Sequence, residues 1–347
     1  MRHVIIGGAG FIGCNLAARL HDRGEQVIVV DNFSRASALD NVEWLKAEHP
    51  PDEVVSADIR SDRTLLAELA ESADAVYHLA AQVAVTTSVR DPRLDFEVNA
   101  LGTLNVLEAL RTTGSEAVLV YSSTNKVYGA MEDVSIVEDP LRYRYGGGRV
   151  GVEEEFPIDL HSPYGCSKGA GDQYVRDYAR IYGLNTVVLR QSCIYGPRQF
   201  GIEDQGWLAW FCIGAVFGRK LTIYGNGKQV RDLLHVGDLI NLMLKIVDEG
   251  PAMRGEIFNV GGGPANSLSL LEAIDVIEQK LGTPIEQSFA EPRPGDQLVF
   301  ISDISKLERV LGWSPQIAVT DGIGELSAWI QQNRHLFAGS ETVAVDA

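Results

Sequence analysis

Short apolar runs recur along the first half of the chain, separated by stretches with helical spacing. Val4-Ile5-Ile6, Gln26 to Asp31, Val54-Val55, Asp74 to Leu79, Ala117 to Tyr121 and Thr186 to Leu189 read as strands. The longer of them are apolar without alternation, which predicts burial on both faces. Between them, 62–72, 92–112 and 166–182 carry helix-period patterns. Strands and helices alternating in this way predict an α/β fold with a doubly wound parallel sheet. On such sheets ligands bind beyond the carboxyl ends of the strands.

The second half changes character. Short strands punctuated by glycine, at Leu221 to Tyr224 and Glu256 to Asn259, mix with helices near 236–248, 267–280, 302–311 and 320–333. The pattern predicts a Rossmann-type domain over 1–190, to which a segment near 230–262 returns. A smaller mixed α/β cap follows over 191–337, and 338–347 is expected to be a disordered tail. Residues 132–160 form a long irregular insert containing Gly146-Gly147-Gly148, and a loop of that length is usually functional or mobile.

The first candidate chemistry lies directly behind the first strand. Gly7-Gly8-Ala9-Gly10-Phe11-Ile12-Gly13 satisfies two glycine registers, Gly8-x-Gly10-x-x-Gly13 and Gly7-x-x-Gly10-x-x-Gly13. Positions without side chains let the backbone turn sharply and approach a pyrophosphate, which then meets the positive end of the next helix. Asp31 ends the second strand close to the roughly 20-residue offset at which a carboxylate takes the ribose hydroxyls. It would repel a 2′-phosphate, so NAD is expected rather than NADP, with Arg35 nearby as the one contrary sign.

Composition narrows the partners. A net charge of −17 over 347 residues argues against nucleic acid and anionic membrane surfaces. It leaves room for an anionic small ligand at a local basic site. No stretch of about 20 apolar residues is present, and neither a signal peptide nor a location outside the cytoplasm is expected. Cys14, Cys166, Cys193 and Cys212 lack metal or redox spacing, so free thiols are expected and no metal site is proposed.

Tyr164-Gly165-Cys166-Ser167-Lys168 places a phenol and an ammonium four residues apart on one helix face. A phenol with a pKa of about 10 is a poor base near neutrality, and the lysine and an oxidised nicotinamide are expected to favour phenolate. Tyr121-Ser122-Ser123-Thr124 ends a strand at the ligand edge of the sheet, so Thr124 or Ser123 can hydrogen-bond the reacting oxygen.

With these pieces in order, the whole chain resembles the extended short-chain dehydrogenase family of NAD-dependent nucleotide-sugar epimerases and dehydratases. The motifs that carry the resemblance are Gly7 to Gly13, Asp31-Asn32, Asp58-Ile59, His78-Leu79-Ala80-Ala81, Asn99, Ser122-Ser123-Thr124, Tyr164 with Lys168, and Arg198 after Tyr195-Gly196-Pro197. In the cap they are Tyr224 to Gly227, Arg231-Asp232, Asn259 to Gly261 and Arg293 to Asp296. The resemblance implies tightly bound NAD held by Gly7, Gly10, Phe11, Ile12, Gly13, Asp31, Asn32, Asp58, Ile59, Leu79, Ala80, Ala81, Asn99, Ser122, Tyr164 and Lys168. It implies catalysis by Tyr164, Lys168 and Thr124. It implies a nucleotide-diphosphate sugar held by Ser123, Thr124, Asn125, Gln191, Cys193, Arg198, Tyr224, Gln229, Arg231, Arg293 and Asp296. Guanidinium forks suit the phosphate oxygens. A homodimer or homotetramer, joined through helices near 92–112 and 166–182, is implied as well.

Within the family the reaction is read from the two residues after Thr124. Dehydratases of this type carry an Asp-Glu pair there, and decarboxylases a nearby glutamate; this chain has Asn125 and Lys126. Thr124 to Gly129, His161 to Lys168, Arg190 to Gly201 and Glu203 to Trp207 look most like the CDP-tyvelose (CDP-paratose) 2-epimerases. Inversion of carbon 2 of a CDP-hexose of the paratose, tyvelose or glucose type is therefore expected. Oxidation at carbon 2, or a 4-keto route with proton exchange at a neighbouring carbon, would each serve, and Lys126 is either a pocket residue or a solvated loop lysine. The competing readings are a UDP-sugar 4-epimerase, a dehydrogenase with a diffusible cofactor, and a non-catalytic NAD-binding sensor or scaffold.

Overall fold

The computed structural model describes residues 1–293 and 296–337. The expected tail at 338–347 lies outside the described residues. In the first half the elements run β1 (Arg2–Ile6), α1 (Phe11–Asp22), β2 (Gln26–Asp31), α2 (Ser37–Glu48), β3 (Glu53–Ser56), α3 (Arg63–Glu71), β4 (Ala75–His78), α4 (Val85–Arg90) and α5 (Pro92–Phe96). A π-helical turn, Glu97–Leu101, joins α5 to α6 (Gly102–Thr113), so the single helix expected over 92–112 is three segments. Then come β5 (Val118–Thr124), β6 (Ile136–Glu138), β7 (Tyr143–Tyr145), α7 (Ser162–Tyr182) and β8 (Thr186–Gln191).

The second half runs β9 (Cys193–Tyr195), α8 (Trp207–Val216), β10 (Leu221–Tyr224), β11 (Val230–His235), α9 (Val236–Glu249), β12 (Ile257–Val260), β13 (Ser267–Ser269), α10 (Leu270–Leu281), β14 (Gln287–Ala290), β15 (Val299–Phe300), α11 (Ser305–Leu311) and α12 (Val319–Gln332). The central sheet is parallel, in the order β12-β8-β5-β4-β1-β2-β3. Strand order therefore reverses between β1 and β4, the switch point at which dinucleotides sit in doubly wound sheets.

Each sheet face is covered by a separate apolar layer. Leu16, Leu20, Leu239, Met243 and Phe258 pack on one side; Leu66, Val106, Leu110 and Val175 pack on the other. A third core, in the cap, unites α8, α10 and α12 through Phe211, Ile274, Ile277, Ile323 and Leu326. Burial of such side chains is worth about 1.5–3 kcal/mol each. α8 had no counterpart in the sequence reading, because it is apolar on all sides and shows no amphipathic period.

The chain leaves the central sheet at Ser192 and crosses into the cap. There β9 pairs with β11, which also pairs with β13 and β15. β12 then pairs in parallel with β8 at the edge of the central sheet.

The insert at 132–160 differs from the expected loose loop. β6 and β7 form a hairpin, and the hairpin is tied to the cap. Tyr143 N donates to Lys228 O at 2.8 Å, Arg142 Nε donates to Glu272 Oε1 at 2.8 Å, and Lys228 Nζ donates to Glu138 Oε1 at 2.7 Å. Its apolar side chains share a buried cluster with Val230, Val299 and Phe300. The sequence reading missed this because a three-residue strand carries too few positions to show a period.

Candidate active site

The site starts from a turn that only glycine permits. Gly7 adopts φ +86°, and Gly7 and Gly8 both donate to Val30 O at the end of β2, at 2.8 and 3.1 Å. A Cβ on Gly7 would lie 2.6 Å from Ala80 N, and one on Gly13 would run into Gly7 O. The loop is thereby pressed between the ends of β1, β2 and β4, with α1 starting from Gly10. The first N–H groups of a helix have no partner within it and point at whatever occupies the turn.

Asp31 braces this loop. Its carboxylate accepts from Ala9 N at 3.1 Å and Phe33 N at 2.9 Å. Burial raises its pKa, and those N–H groups oppose the rise. A carboxylate so engaged still has lone pairs free for hydroxyl donors. Asn32 donates to Asp58 at 3.2 Å, Arg60 grips the same carboxylate at 2.7 Å, and the Arg60 hydrogen bonds hold Asp58 down at about 2. Ile59 is buried against Gly102. These residues form an open cradle that fits a dinucleotide: a constrained glycine turn, a helix N-terminus and an acid at the end of the second strand.

Next to the cradle is a cavity of about 270 Å³. Phe11, Ile12, Leu79 and Ala81 form its cradle side, while Ser122, Ser123, Thr124, Tyr164, Lys168, Gln191 and Cys193 form its far side. Trp207, Gln205 and Gln199 close it from the cap; the sequence reading assigned none of them a site role, although Gln205-Gly206-Trp207 stood among the resemblance motifs. Arg35 Nη1 reaches across from the β2–α2 loop to donate to Gln205 Oε1 at 2.8 Å.

Tyr164 lies one turn into α7 and is buried. Burial pushes its phenol above the usual value, and the hydroxyl of Thr124 pulls it back. Lys168 is also buried. Its ammonium donates to Ser122 O at 2.5 Å and sits 4.4 Å from the Tyr121 ring centroid. Burial lowers its pKa to about 7, opposed by the charges of Asp172 and Asp95. The expectation that lysine favours phenolate is thus modified: the protein matrix alone keeps the phenol protonated.

Two buried carboxylates fix this helix. Asp95 accepts from Ser167 Oγ at 2.5 Å, Gln82 Nε2 at 2.9 Å and Asn99 Nδ2 at 3.1 Å. Asn99 sits on the π-turn and also exchanges hydrogen bonds with the Gln82 backbone. Asp172 accepts from Ser123 Oγ at 2.7 Å and from Arg190 Nε at 2.9 Å. Ser123, expected at the substrate, spends its hydroxyl here. Spacing along the chain could not reveal that Asp95 joins α5 to α7 or that Asp172 joins α7 to β5, because Ser167 and Ser123 are 72 and 49 residues away.

The remaining expected residues fall into three places. Arg231 Nη2 donates to Asp296 Oδ1 at 2.6 Å, with Lys126 Nζ 3.6 Å from the same oxygen. Lys126 is therefore neither a free loop lysine nor part of the cavity wall: it is half-buried beside Asp296, its pKa lowered by loss of water and by Arg231. Asn125 is turned toward Gln297 at 3.5 Å. Farther out, Arg293 stacks 4.1 Å from the Tyr224 ring centroid and pairs with Asp204 at 2.9 Å. Tyr224 donates to Glu203 at 2.8 Å and accepts through its carbonyl from Gln229 at 2.7 Å. Arg198 is away from the cavity, at φ +69°, between Trp44 at 4.1 Å and Trp329 at 5.8 Å from the ring centroids. It joins α2 to α12 by cation–π contacts.

Known proteins place this geometry. A model of the NAD dependent epimerase/dehydratase family matches residues 3–261. The CDP-paratose 2-epimerase of Salmonella typhi is 45% identical over 95% of this chain and 99% of its own length. The UDP-glucose 4-epimerase of Mycolicibacterium smegmatis is 35% identical over 94% of this chain and 97% of its own. Among solved structures, the dTDP-glucose 4,6-dehydratase of Streptomyces venezuelae with NAD bound superposes with a TM-score of 0.83 at 29% identity, covering 98% of this chain and 99% of that one. The cradle, the Tyr164–Lys168 helix and these matches agree: the chain belongs to the NAD-dependent epimerase/dehydratase family, with NAD as its cofactor.

Proposed function

We propose that the protein inverts carbon 2 of a CDP-linked hexose, of the CDP-paratose, CDP-tyvelose or CDP-glucose type. The observation that carries the reaction class is the cavity wall: among the described residues no Asp or Glu lines it. Expulsion of water from a sugar needs an acid and a base besides the tyrosine, and Asn125 and Lys126 stand where dehydratases of this type carry theirs. Inversion by oxidation and return needs only one proton-transfer group. The 45% identity to a CDP-paratose 2-epimerase, against 35% to a UDP-glucose 4-epimerase, supports carbon 2 and the CDP carrier.

NAD held in the groove behind Gly7 to Gly13 would supply reversible hydride transfer at the sugar carbon, with no net consumption of cofactor. The chain's own groups handle the proton. Tyr164 takes it from the sugar hydroxyl and gives it back, which requires its pKa to fall from the raised value set by burial. Thr124 hydrogen-bonds the phenol and orients it. Lys168, anchored on Ser122 O, supplies positive charge beside the phenol and a donor to the cofactor ribose. Gly7, Gly10, Phe11, Ile12, Gly13, Asp31, Asn32, Asp58 and Ile59 form the cofactor groove. Arg231, Arg293, Lys126 and Tyr224 hold the diphosphate. Residues 1–190 make the cofactor domain and 191–337 the sugar-binding cap. Exposed Phe96, Tyr174, Ile181 and Tyr182 on α5 and α7 form a homodimer face, and the protein works in the cytoplasm.

The test is a proton NMR time course of the anomeric signal, with CDP-paratose and then CDP-glucose and no added NAD. A new anomeric doublet with smaller coupling is expected, as an axial hydroxyl at carbon 2 gives. A UDP-sugar turned over at carbon 4 while both CDP-sugars stay unchanged would replace this reading with that of the 4-epimerases.

A further inference from the structure

Gln191 ends β8 and stands beside Thr124, with which it is paired in register at the end of β5. Its side chain is 7% exposed and lines the cavity. Its amide nitrogen is buried and has no hydrogen-bond partner among the described residues. The neighbouring side chains are committed. Ser123 donates to Asp172, Ser192 donates to Asp232, and the Gln199 amide nitrogen donates to Ile194 O at 3.1 Å, which leaves the Gln199 amide oxygen as a second buried group without a partner on the same wall. A buried donor without a partner is costly and rare in folded proteins. With no carboxylate among the described residues of the cavity wall, a ligand oxygen in the cavity is a suitable acceptor for it.

The position of Gln191 narrows which ligand atom that is. Neighbouring parallel strands run about 4.8 Å apart, so an oxygen presented to Thr124 and Tyr164 has its vicinal oxygen within reach of Gln191. Inversion by oxidation and return imposes one further demand. The keto sugar must let go of Tyr164 and come back with its other face forward, without leaving the cavity. A carboxamide has two donor hydrogens and an acceptor oxygen, so it can hold a sugar oxygen in both orientations.

We propose that Gln191 is the specificity-determining residue of this site. Its amide N–H donates to the sugar oxygen adjacent to the reacting carbon and keeps the keto sugar in the cavity while it turns. The inference rests on the epimerase reading above and adds the wall against which the sugar reverses. Among the residues expected at the substrate from the sequence, Gln191 combines burial, an unpaired donor and direct contact with the cavity.

The experiment compares the full-length holoenzyme with Gln191→Leu, using CDP-paratose as the probe. Cofactor content, kcat, KM, and the near-ultraviolet absorbance of reduced nicotinamide during turnover are recorded for each. Q191L is expected to hold NAD as the parent does and to lose about tenfold or more in kcat/KM. Reduced nicotinamide builds up as keto sugar escapes, and borohydride traps that sugar in the filtrate. A purely structural role would leave no reduced nicotinamide behind. Q191L with parental kcat/KM and no absorbance build-up overturns the assignment. If Q191L does not fold, Gln191→Met, which keeps the length and removes the donor, is read in the same two ways. If the parent leaves CDP-paratose unchanged, it is the CDP-sugar reading that has failed, and the same variants are then read on UDP-glucose.

Discussion

At the scale of single residues, the site sets two buried titratable groups against each other. Tyr164 is raised by burial and Lys168 is lowered by it to about 7, because loss of water disfavours the charged form of each. Tyr164→Phe removes the proton-transfer group and nothing from the cradle. Turnover is expected to drop by about 10²–10⁴ with NAD content unchanged, measured by kcat and by cofactor released on denaturation; a near-parental rate would take Tyr164 out of that role. For Lys168 the prediction concerns stability. Below about pH 7 both folded and unfolded chains carry its proton, and the cost of the buried ammonium is fully present. Between about 7 and the unfolded value of 10.5 the folded chain has lost the proton and the unfolded chain has not, so stability at this site rises with pH. Urea midpoints for the parent should therefore gain on those of Lys168→Met between pH 7 and pH 9; parallel curves would contradict the shift.

At the scale of elements, α7 is held in place by ion pairing as well as by apolar packing. Asp172 and Arg190 are 0% and 2% exposed and join α7 to β8, while Ser123 ties in β5. Arg190 goes on to donate to Tyr128 at 3.0 Å and to Glu154 O at 3.2 Å, which anchors the insert. Asp172→Ala leaves a buried guanidinium without its counter-charge, at an expected cost of about 3–5 kcal/mol in chemical denaturation. A loss under about 1 kcal/mol would mean that water or a rearranged neighbour compensates the charge. This network was not legible in the sequence: Asp172 sits at helical spacing from Lys168, where an exposed i, i+4 ion pair is the ordinary reading. The helix itself, its Tyr–Lys spacing and the strand ending in Thr124 were legible, because they depend on local period and short-range motif alone.

At the scale of the whole molecule, the apolar surface left on α4, α5 and α7 is the main unexplained feature. Val89, Phe96, Ile181 and Tyr182 are each more than half exposed, and the three helices pack against one another on one side of the sheet. Exposed apolar side chains grouped on neighbouring helices are where the proposed homodimer would join. Ile181→Glu is expected to shift the dimer toward monomer in light scattering, while the monomer keeps its bound cofactor. A parental mass for that variant would move the interface elsewhere. No helix among the described residues is long and apolar enough to cross a membrane.

The sequence by itself determined the fold class and pointed to the glycine turn behind β1 and to the Tyr164–Lys168 pair. Each rests on periodicity or on spacing within a few residues, which the backbone turns directly into geometry. Only the tertiary structure decided that Lys126 sits beside Asp296 and Arg231, that Ser123 serves Asp172, that Arg198 binds two helices together outside the cavity, and that the insert braces the cap. In each of these a side chain is assigned by a partner dozens of residues away. Burial and pairing across such distances are properties of the packed molecule, and they leave no period in the chain.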